Sequence, residues 1–347
     1  RSVYMIYMSF FIGLILICKG GDWFVDAASK ISETLGIPKY VVGATIVSFA
    51  TTMPEIIVSA AAALKGHSAM AIGNAVGSVS ANTGIILAIS LFFLPAAIKR
   101  QDYIIKTILY IGTLVLLLIS FKDRVFDWSD CILLLLAGIL FLIMNIKNAF
   151  QERNKGFQRK NQKNDSKTQK KECWKMFVWF FIGAVAIVAG SEILVKSACE
   201  IAEKLHISEE IISVTIVAMG TSLPEFVTTV TAIIKKESSL SVGNIVGANM
   251  IDSAFILPVC TLLGGKSLPV STQMALIDMP VCILVSVVAL FPMLYRNKIA
   301  RIDGVFTLLI YSSYLIYICR GNLGYQVKVK RFKRRSCMHD KEFDFVI

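Results

Sequence analysis

"TIVSFATTMPE" (residues 45–55) lies inside a long apolar stretch, yet it carries a proline, two adjacent threonines and a glutamate. A near copy, "TIVAMGTSLPE" (215–225), follows 170 residues downstream with six identities in eleven. The register extends outward in both directions. "GGDWFVDAASKISETLGI" aligns with "GSEILVKSACEIAEKLHI" and "GNAVGSVSAN" with "GNIVGANMID", at the same offset and without a gap. A glutamate placed in hydrocarbon costs a few kcal/mol even on lenient insertion scales, so Glu55, Glu225 and Asp252 are functional candidates by default.

The surroundings are indeed hydrocarbon-like. The chain has 347 residues, of which 55% are hydrophobic, and a mean hydropathy of +0.67. Crossing about 30 Å of lipid at 1.5 Å per residue takes about 20 apolar residues. Ten stretches qualify: 3–27, 39–64, 68–95, 103–121, 128–148, 175–199, 208–234, 240–264, 271–295 and 303–319. Lipid offers no hydrogen bonds to the backbone, which makes helices the expected conformation. The first run continues into a full span, so no cleavable signal peptide is expected. The eight cysteines are scattered singly and read as small apolar residues rather than as a disulfide or metal set.

The net charge of +12 does not point to nucleic acid, because much of it is concentrated in the segment 147–175, "KNAFQERNKGFQRKNQKNDSKTQKKECWK". This reads as a solvated loop on the cytoplasmic side. The orientation places Lys30, Lys39, Lys99, Arg100, Lys106, Lys235, Lys236, Arg296, Lys298 and Arg301 inside, against five basic residues outside. The basic run "KVKRFKRR" (328–335) falls on the outer side in this topology, against the rule.

The linker separates five spans from five. A repeat with an odd number of spans inserts its two copies in opposite orientation, an architecture in which sites form at the midplane between the halves. The expected fold is therefore an all-α polytopic membrane protein with ten transmembrane helices in two inverted five-helix repeats. Residues 1–148 form the first repeat, with ion-binding motifs at 43–82, and residues 149–174 the basic cytoplasmic linker. Residues 175–320 form the second repeat, with motifs at 213–252, and residues 321–347 a basic polar tail.

Within each motif the proline removes an N–H and crowds the preceding turn, so Pro54 and Pro224 are expected to kink or break their helices. Carbonyls freed around Ser48 and Ala218 must then line a polar cavity or hold an ion. Thr51 and Glu55 share a helix face at i, i+4, as do Thr221 and Glu225. The next span adds Asn74, Ser78 and Asn82 on one face, matched by Asn244, Ala248 and Asp252. Pooled across a pseudo-twofold axis, these give an all-oxygen cage with three carboxylates, suited to Ca²⁺ or Na⁺ rather than to metals that prefer His or Cys. The three histidines, His67, His206 and His339, lie near span ends or in the tail. The repeated glycines Gly43, Gly73, Gly77, Gly243 and Gly247 are equally explained by helix packing.

The doubled "T-x-x-P-E" and "GN…" motifs closely resemble the α-repeats of the calcium/cation antiporter superfamily, and within it the sodium/calcium exchangers of prokaryotic size. The resemblance covers about residues 1–320. It implies a secondary antiporter that exchanges Na⁺ for Ca²⁺ by alternating access, not an enzyme. It also implies a multi-pass protein of the plasma membrane, embedded in the lipid bilayer. The implied ligands are Thr51, Thr52, Glu55, Ser78 and Asn82, then Thr221, Ser222, Glu225 and Asp252, completed by the carbonyls of Ser48 and Ala218. No cofactor is expected beyond the transported ions, and a monomer should suffice. The chain departs from the family pattern at Ala50-Thr51-Thr52-Met53, at Val79 where Asn is frequent, and at Ala248 where Ser is common. The last change removes a hydroxyl from a Na⁺ position.

Alternatives are an H⁺/Ca²⁺ or K⁺-dependent Na⁺/Ca²⁺ exchanger of the same superfamily, or a cation channel. Proton-coupled relatives typically carry an extra glutamate soon after Gly-Asn, whereas here "AVGS" and "IVGA" follow. Nothing in the spans supplies a nucleophile–base pair with histidine, and no HExxH or GxSxG is present.

Overall fold

The computed structural model describes residues 3–93, 100–159, 166–204, 220–298 and 300–318. Those residues form ten helices: α1 Val3–Leu35, α2 Lys39–Leu64, α3 Ser68–Phe93, α4 Arg100–Ser120, α5 Trp128–Arg159, α6 Ser166–Lys204, α7 Leu223–Ile234, α8 Ser238–Gly264, α9 Met274–Arg296 and α10 Arg301–Ile318. Nine are long and apolar enough to cross a membrane, while α7 is the described part of the seventh span. The described residues are nearly all helical, and the protein is a multi-pass integral membrane protein. A two-residue ladder, β1 Val125–Phe126 against β2 Leu268–Pro269, ties the α4–α5 loop to the α8–α9 loop.

Helix ends follow local chemistry. The first helix runs to Leu35, past the apolar stretch, and stops where Gly36 adopts φ +66° and Pro38 follows. Asp127 caps α5: its carboxylate accepts hydrogen bonds from the Ser129 hydroxyl and from the N–H groups of Ser129 and Asp130. Those bonds hold the Asp127 carboxyl below its ordinary range. The linker departs from the expected loop. Helix α5 continues to Arg159 and α6 begins at Ser166, because Lys, Gln, Glu and Arg are good helix formers even without an apolar face.

The inverted repeat is written into the packing of α1 against α6. A Cβ added at Gly13 would lie 3.0 Å from the Gly190 carbonyl, and one at Gly190 would lie 3.0 Å from that of Gly13. Gly20 and Gly183 make the same reciprocal approach. Gly13 is the repeat-equivalent of Gly183, and Gly20 of Gly190, each 170 residues apart. The symmetry thus maps the Gly13–Gly190 contact onto the Gly183–Gly20 contact, the self-complementary pairing that a twofold axis generates. Only small residues allow backbones this close.

At the centre sits α8, 83% of whose most apolar window is buried, against 28% for α1. It packs against α2 through the glycines of the motifs. A Cβ at Gly43 would strike the Leu240 carbonyl, one at Gly243 the Tyr40 carbonyl, and one at Gly247 the Ser48 hydroxyl and Ala44. For these three, the packing explanation holds. Gly73 and Gly77 have no such close neighbour among the described residues.

Candidate functional site

Helix α2 does not break at Pro54. The proline sits inside a continuous α-helical segment, Ser48–Leu64, and the irregularity lies about two turns upstream as a π-helical turn, Gly43–Val47. Such turns are frequent at functional sites. The second motif behaves as expected. Thr221 and Ser222 form a turn, and Pro224 opens the new helix α7, where its missing N–H costs nothing. Ala218 lies outside the described residues.

Further π-turns begin at Asn82 in α3 and at Asp252 in α8, two repeat-equivalent positions. Both side chains are fully buried, and they meet each other: Asn82 Nδ2 donates to Asp252 Oδ2 at 3.4 Å. Two equivalent residues can touch in this way only where the pseudo-twofold axis passes between them.

Around that pair the cross-repeat contacts come in symmetric sets. Thr51 Oγ1 donates to Asn244 Oδ1 at 3.4 Å, and its counterpart Thr221 Oγ1 to Asn74 Oδ1 at 3.5 Å. Thr52 Oγ1 donates to Glu225 Oε1 at 3.3 Å, while its counterpart Ser222 faces the Glu55 carboxylate. Thr51 also donates to the Ser48 carbonyl at 3.3 Å. Asn74 ties α3 to α2 through the Glu55 carbonyl at 3.2 Å and Ser59 Oγ at 2.8 Å. The structure therefore brings together Ser48, Thr51, Thr52, Glu55, Asn82, Thr221, Ser222, Glu225 and Asp252. Ser78 is buried on the same face of α3, with no hydrogen-bond contact to another site residue among the described residues.

Asn74 and Asn244 act as clamps between the motif helices rather than as bystanders in a polar row. The three carboxylates do not converge on their own. Glu55 interacts electrostatically with both Glu225 and Asp252, yet among the described residues no three acid, histidine or cysteine side chains converge tightly enough to hold a metal by themselves. Hydroxyl and amide groups are interposed, so any bound cation must share carboxylate and neutral oxygens. His67 is exposed at the start of α3, away from the centre. Cys131, Cys260 and Cys282 are buried free thiols.

The acceptors in this centre outnumber the donors. Both oxygens of Glu55, Glu225 Oε2, Asp252 Oδ1 and Asn82 Oδ1 are buried and have no hydrogen-bond partner among the described residues. Buried ionised carboxylates without partners cost several kcal/mol each, so the arrangement is stable only with a cation among them or with the acids protonated.

Access is one-sided. A cavity of about 410 Å³ reaches the motif turns; it is lined by Pro54 and Ile57 of α2, Thr221 and Pro224 of the second motif, and Ser191 and Glu192 of α6. On the opposite side, the corresponding gap between α1 and α7 is shut. A Cβ at Gly21 would lie 2.7 Å from Thr231 Oγ1 and 3.0 Å from Val227 Cγ1. Lys235 bridges to Asp26 at 2.7 Å and Asp22 at 3.5 Å, and Lys39 to Glu237 at 2.6 Å. Repeat symmetry makes Lys65 the counterpart of Lys235 and Glu192 that of Asp22. Lys65 forms no ion pair among the described residues, and Glu192 pairs within its own helix with Lys196. The charges are only partly repeated: the counterpart of Asp26 is Lys196, so the bridge that closes one end has no full equivalent at the other.

Comparison with known proteins agrees with this geometry. The sodium/calcium exchanger protein family matches residues 5–147 and again residues 175–320, once per repeat. An uncharacterized membrane protein of Methanocaldococcus jannaschii is 31% identical over 87% of this chain and 94% of its own length. The sodium/calcium exchanger MaX1 of Methanosarcina acetivorans is 29% identical over 90% of this chain and 98% of its own. A solved structure of the sodium-calcium exchanger NCX_Mj superposes with a TM-score of 0.78 at 28% identity, covering 91% of this chain and 99% of that one. The chain belongs to the sodium/calcium exchanger family, a family of exchangers rather than of enzymes.

Proposed function

We propose that the protein exchanges Na⁺ for Ca²⁺ across its membrane by alternating access to one site on the pseudo-twofold axis. The observation that carries this reading is the set of unpartnered carboxylate oxygens of Glu55, Glu225 and Asp252 at the buried centre. Ca²⁺ takes six to eight hard oxygens and compensates two of the three negative charges. Thr51, Thr52, Thr221 and Ser222, with the amide oxygen of Asn82 and the Ser48 carbonyl, would complete its shell. Na⁺ ions share the same neutral oxygens, so their binding and that of Ca²⁺ compete. The transported ions are the only ligands the chemistry requires, and a single chain carries both halves of the site.

The sealed α1–α7 seam and the open α6 cavity provide the two gates. With the basic linker inside, the cavity faces outward and the Lys235 seam closes the cytoplasmic side. Interchanging the conformations of the two repeats would close the outer gate by bringing Lys65 to Glu192, and would open the inner one. Proton coupling has less support, because Ala75 and Ile245 follow the two Gly-Asn pairs where an additional acid would be needed.

The test is ⁴⁵Ca²⁺ uptake into proteoliposomes under imposed Na⁺, H⁺ or K⁺ gradients. An outward Na⁺ gradient alone should drive accumulation. Accumulation driven only by a proton gradient, or Ca²⁺ equilibration without any gradient, would replace this reading with an H⁺ exchanger or a channel.

A further inference from the structure

Next to the axial Asn82–Asp252 pair lies a buried polar network with no counterpart in the other repeat. Asn249 Nδ2 donates to Thr83 Oγ1 at 2.7 Å and to Tyr110 OH at 3.2 Å. Tyr110 OH in turn pairs with Ser286 Oγ at 2.9 Å. All four residues are at most 1% exposed. Thr83 is the residue after Asn82 in one π-turn, and Asn249 stands one helical turn before Asp252, on the same face of α8. The network therefore grips both halves of the axial pair. The position equivalent to Asn249 in the first repeat is Val79, which can do none of this.

The atom left over is the informative one. Both amide hydrogens of Asn249 are used, and its Oδ1 is buried with no hydrogen-bond partner among the described residues. The reverse orientation of the amide would strand two N–H donors instead of one carbonyl oxygen, and orphaned buried donors are the rarer and costlier case. Asn249 Oδ1 thus joins Asn82 Oδ1 and Asp252 Oδ1 as a third unpartnered acceptor on residues that surround the axis. Acceptors gathered without donors call for a cation. The neighbouring residue, Ala248, supplies no hydroxyl at the place where Ser78 supplies one in the first repeat.

We propose that Asn249 Oδ1 is a neutral cation ligand that takes the place of the hydroxyl missing at Ala248, with Thr83 and Tyr110 as positioning residues that aim it. This rests on the exchange reading above. A neutral oxygen matters most to Na⁺. Ca²⁺ binding is dominated by the carboxylates, whereas each Na⁺ depends on uncharged oxygens for most of its shell.

The experiment is displacement of bound ⁴⁵Ca²⁺ by Na⁺ on purified protein, with Ca²⁺ affinity measured separately in the absence of Na⁺. In Asn249→Ala the Na⁺ concentration for half-displacement should rise about threefold to tenfold, the effect of one lost polar contact, while Ca²⁺ affinity stays within about twofold. Tyr110→Phe keeps the ring and the fold but frees one amide hydrogen, and should shift Na⁺ in the same direction by less. Adding Ala248→Ser to Asn249→Ala should restore Na⁺ sensitivity in part. Equal losses for both ions, or an unchanged Na⁺ response in both Asn249→Ala and Tyr110→Phe, would reduce the network to a structural role. A wild-type protein whose Ca²⁺ is not displaced by Na⁺ at all would overturn the exchange reading and this inference together.

Discussion

The two copies of the T-x-x-P-E motif share six of eleven residues and fold differently. In the first, Pro54 is held inside a helix that a π-turn precedes. In the second, the chain turns at Thr221–Ser222 and starts a new helix at Pro224. The same contrast recurs wherever the repeats are laid over each other. Asn82 stands opposite Asp252, Ser78 opposite Ala248, and Val79 opposite Asn249; Lys65 has no ion pair among the described residues where Lys235 bridges two aspartates. Symmetry places the candidate ligands around one axis, and on the proposed reading the departures from symmetry set which ions are favoured there.

The largest expected effect removes the symmetric part. Glu55→Gln and Glu225→Gln each keep side-chain size and one oxygen but delete a charge that faces a divalent ion. Breaking a buried charge pair on one side costs about 3–5 kcal/mol, or about two to four decades of affinity. Each variant should abolish Na⁺-driven Ca²⁺ uptake in vesicles while still inserting as a folded protein. Near-normal exchange in either would move the site elsewhere.

The prolines provide the next contrast. Pro54→Ala gives the Ala50 carbonyl a donor and relieves an interior proline, so melting temperature should rise by several degrees while transport falls. Pro224→Ala sits at a helix start, where proline is well tolerated, and should leave the melting temperature nearly unchanged. Equal responses in the two melting curves would mean that the backbone difference between the repeats has no energetic content.

Gate asymmetry should be visible as labelling. Lys235→Gln loosens the α1–α7 seam, so a cysteine placed at Thr231 should react with a water-soluble thiol reagent several-fold faster from the cytoplasmic side. Half-exposed ion pairs contribute about 0.2–1 kcal/mol each, which limits the size of the change. Lys65→Gln, made in a protein with the same reporter, should have no such effect. Faster labelling in both would contradict a one-sided seal.

The smallest effect belongs to Ala248→Ser alone, which restores a hydroxyl to the second repeat. Competitive binding should show Na⁺ affinity increasing by a few-fold and Ca²⁺ affinity hardly moving. Parallel shifts for the two ions would place this position outside the Na⁺ shell.

Much of this was legible in the sequence because it depends on register alone. A constant offset of 170 residues places Thr51 with Thr221, Glu55 with Glu225 and Asn82 with Asp252. An odd number of spans per repeat turns that register into an axis. The i, i+4 spacing of Asn74, Ser78 and Asn82 likewise fixed one face of α3. What was not legible depends on packing between segments remote in sequence. Pro54 stays inside a continuous helix, and the approach of Gly243 and Gly247 of α8 to the start of α2 is packing that no local propensity encodes. Tyr110 lies in a span without a motif, and its hydroxyl acquires meaning only beside Asn249 and Ser286. Asn249 itself was in view within "GNIVGANMID", but its register gave it a valine for a partner and so no signal. The linker was misread because its composition lacks an apolar face, although helix formation needs none.

The central claim is that both repeats contribute to one shared site rather than each holding an ion of its own. Equilibrium Ca²⁺ binding to purified wild-type protein, Glu55→Gln and Glu225→Gln, measured without Na⁺, tests it directly. A shared axial site predicts one high-affinity Ca²⁺ per wild-type chain and none in either variant. Two Ca²⁺ per wild-type chain, with one retained in each single variant, would show two independent half-sites and contradict the account.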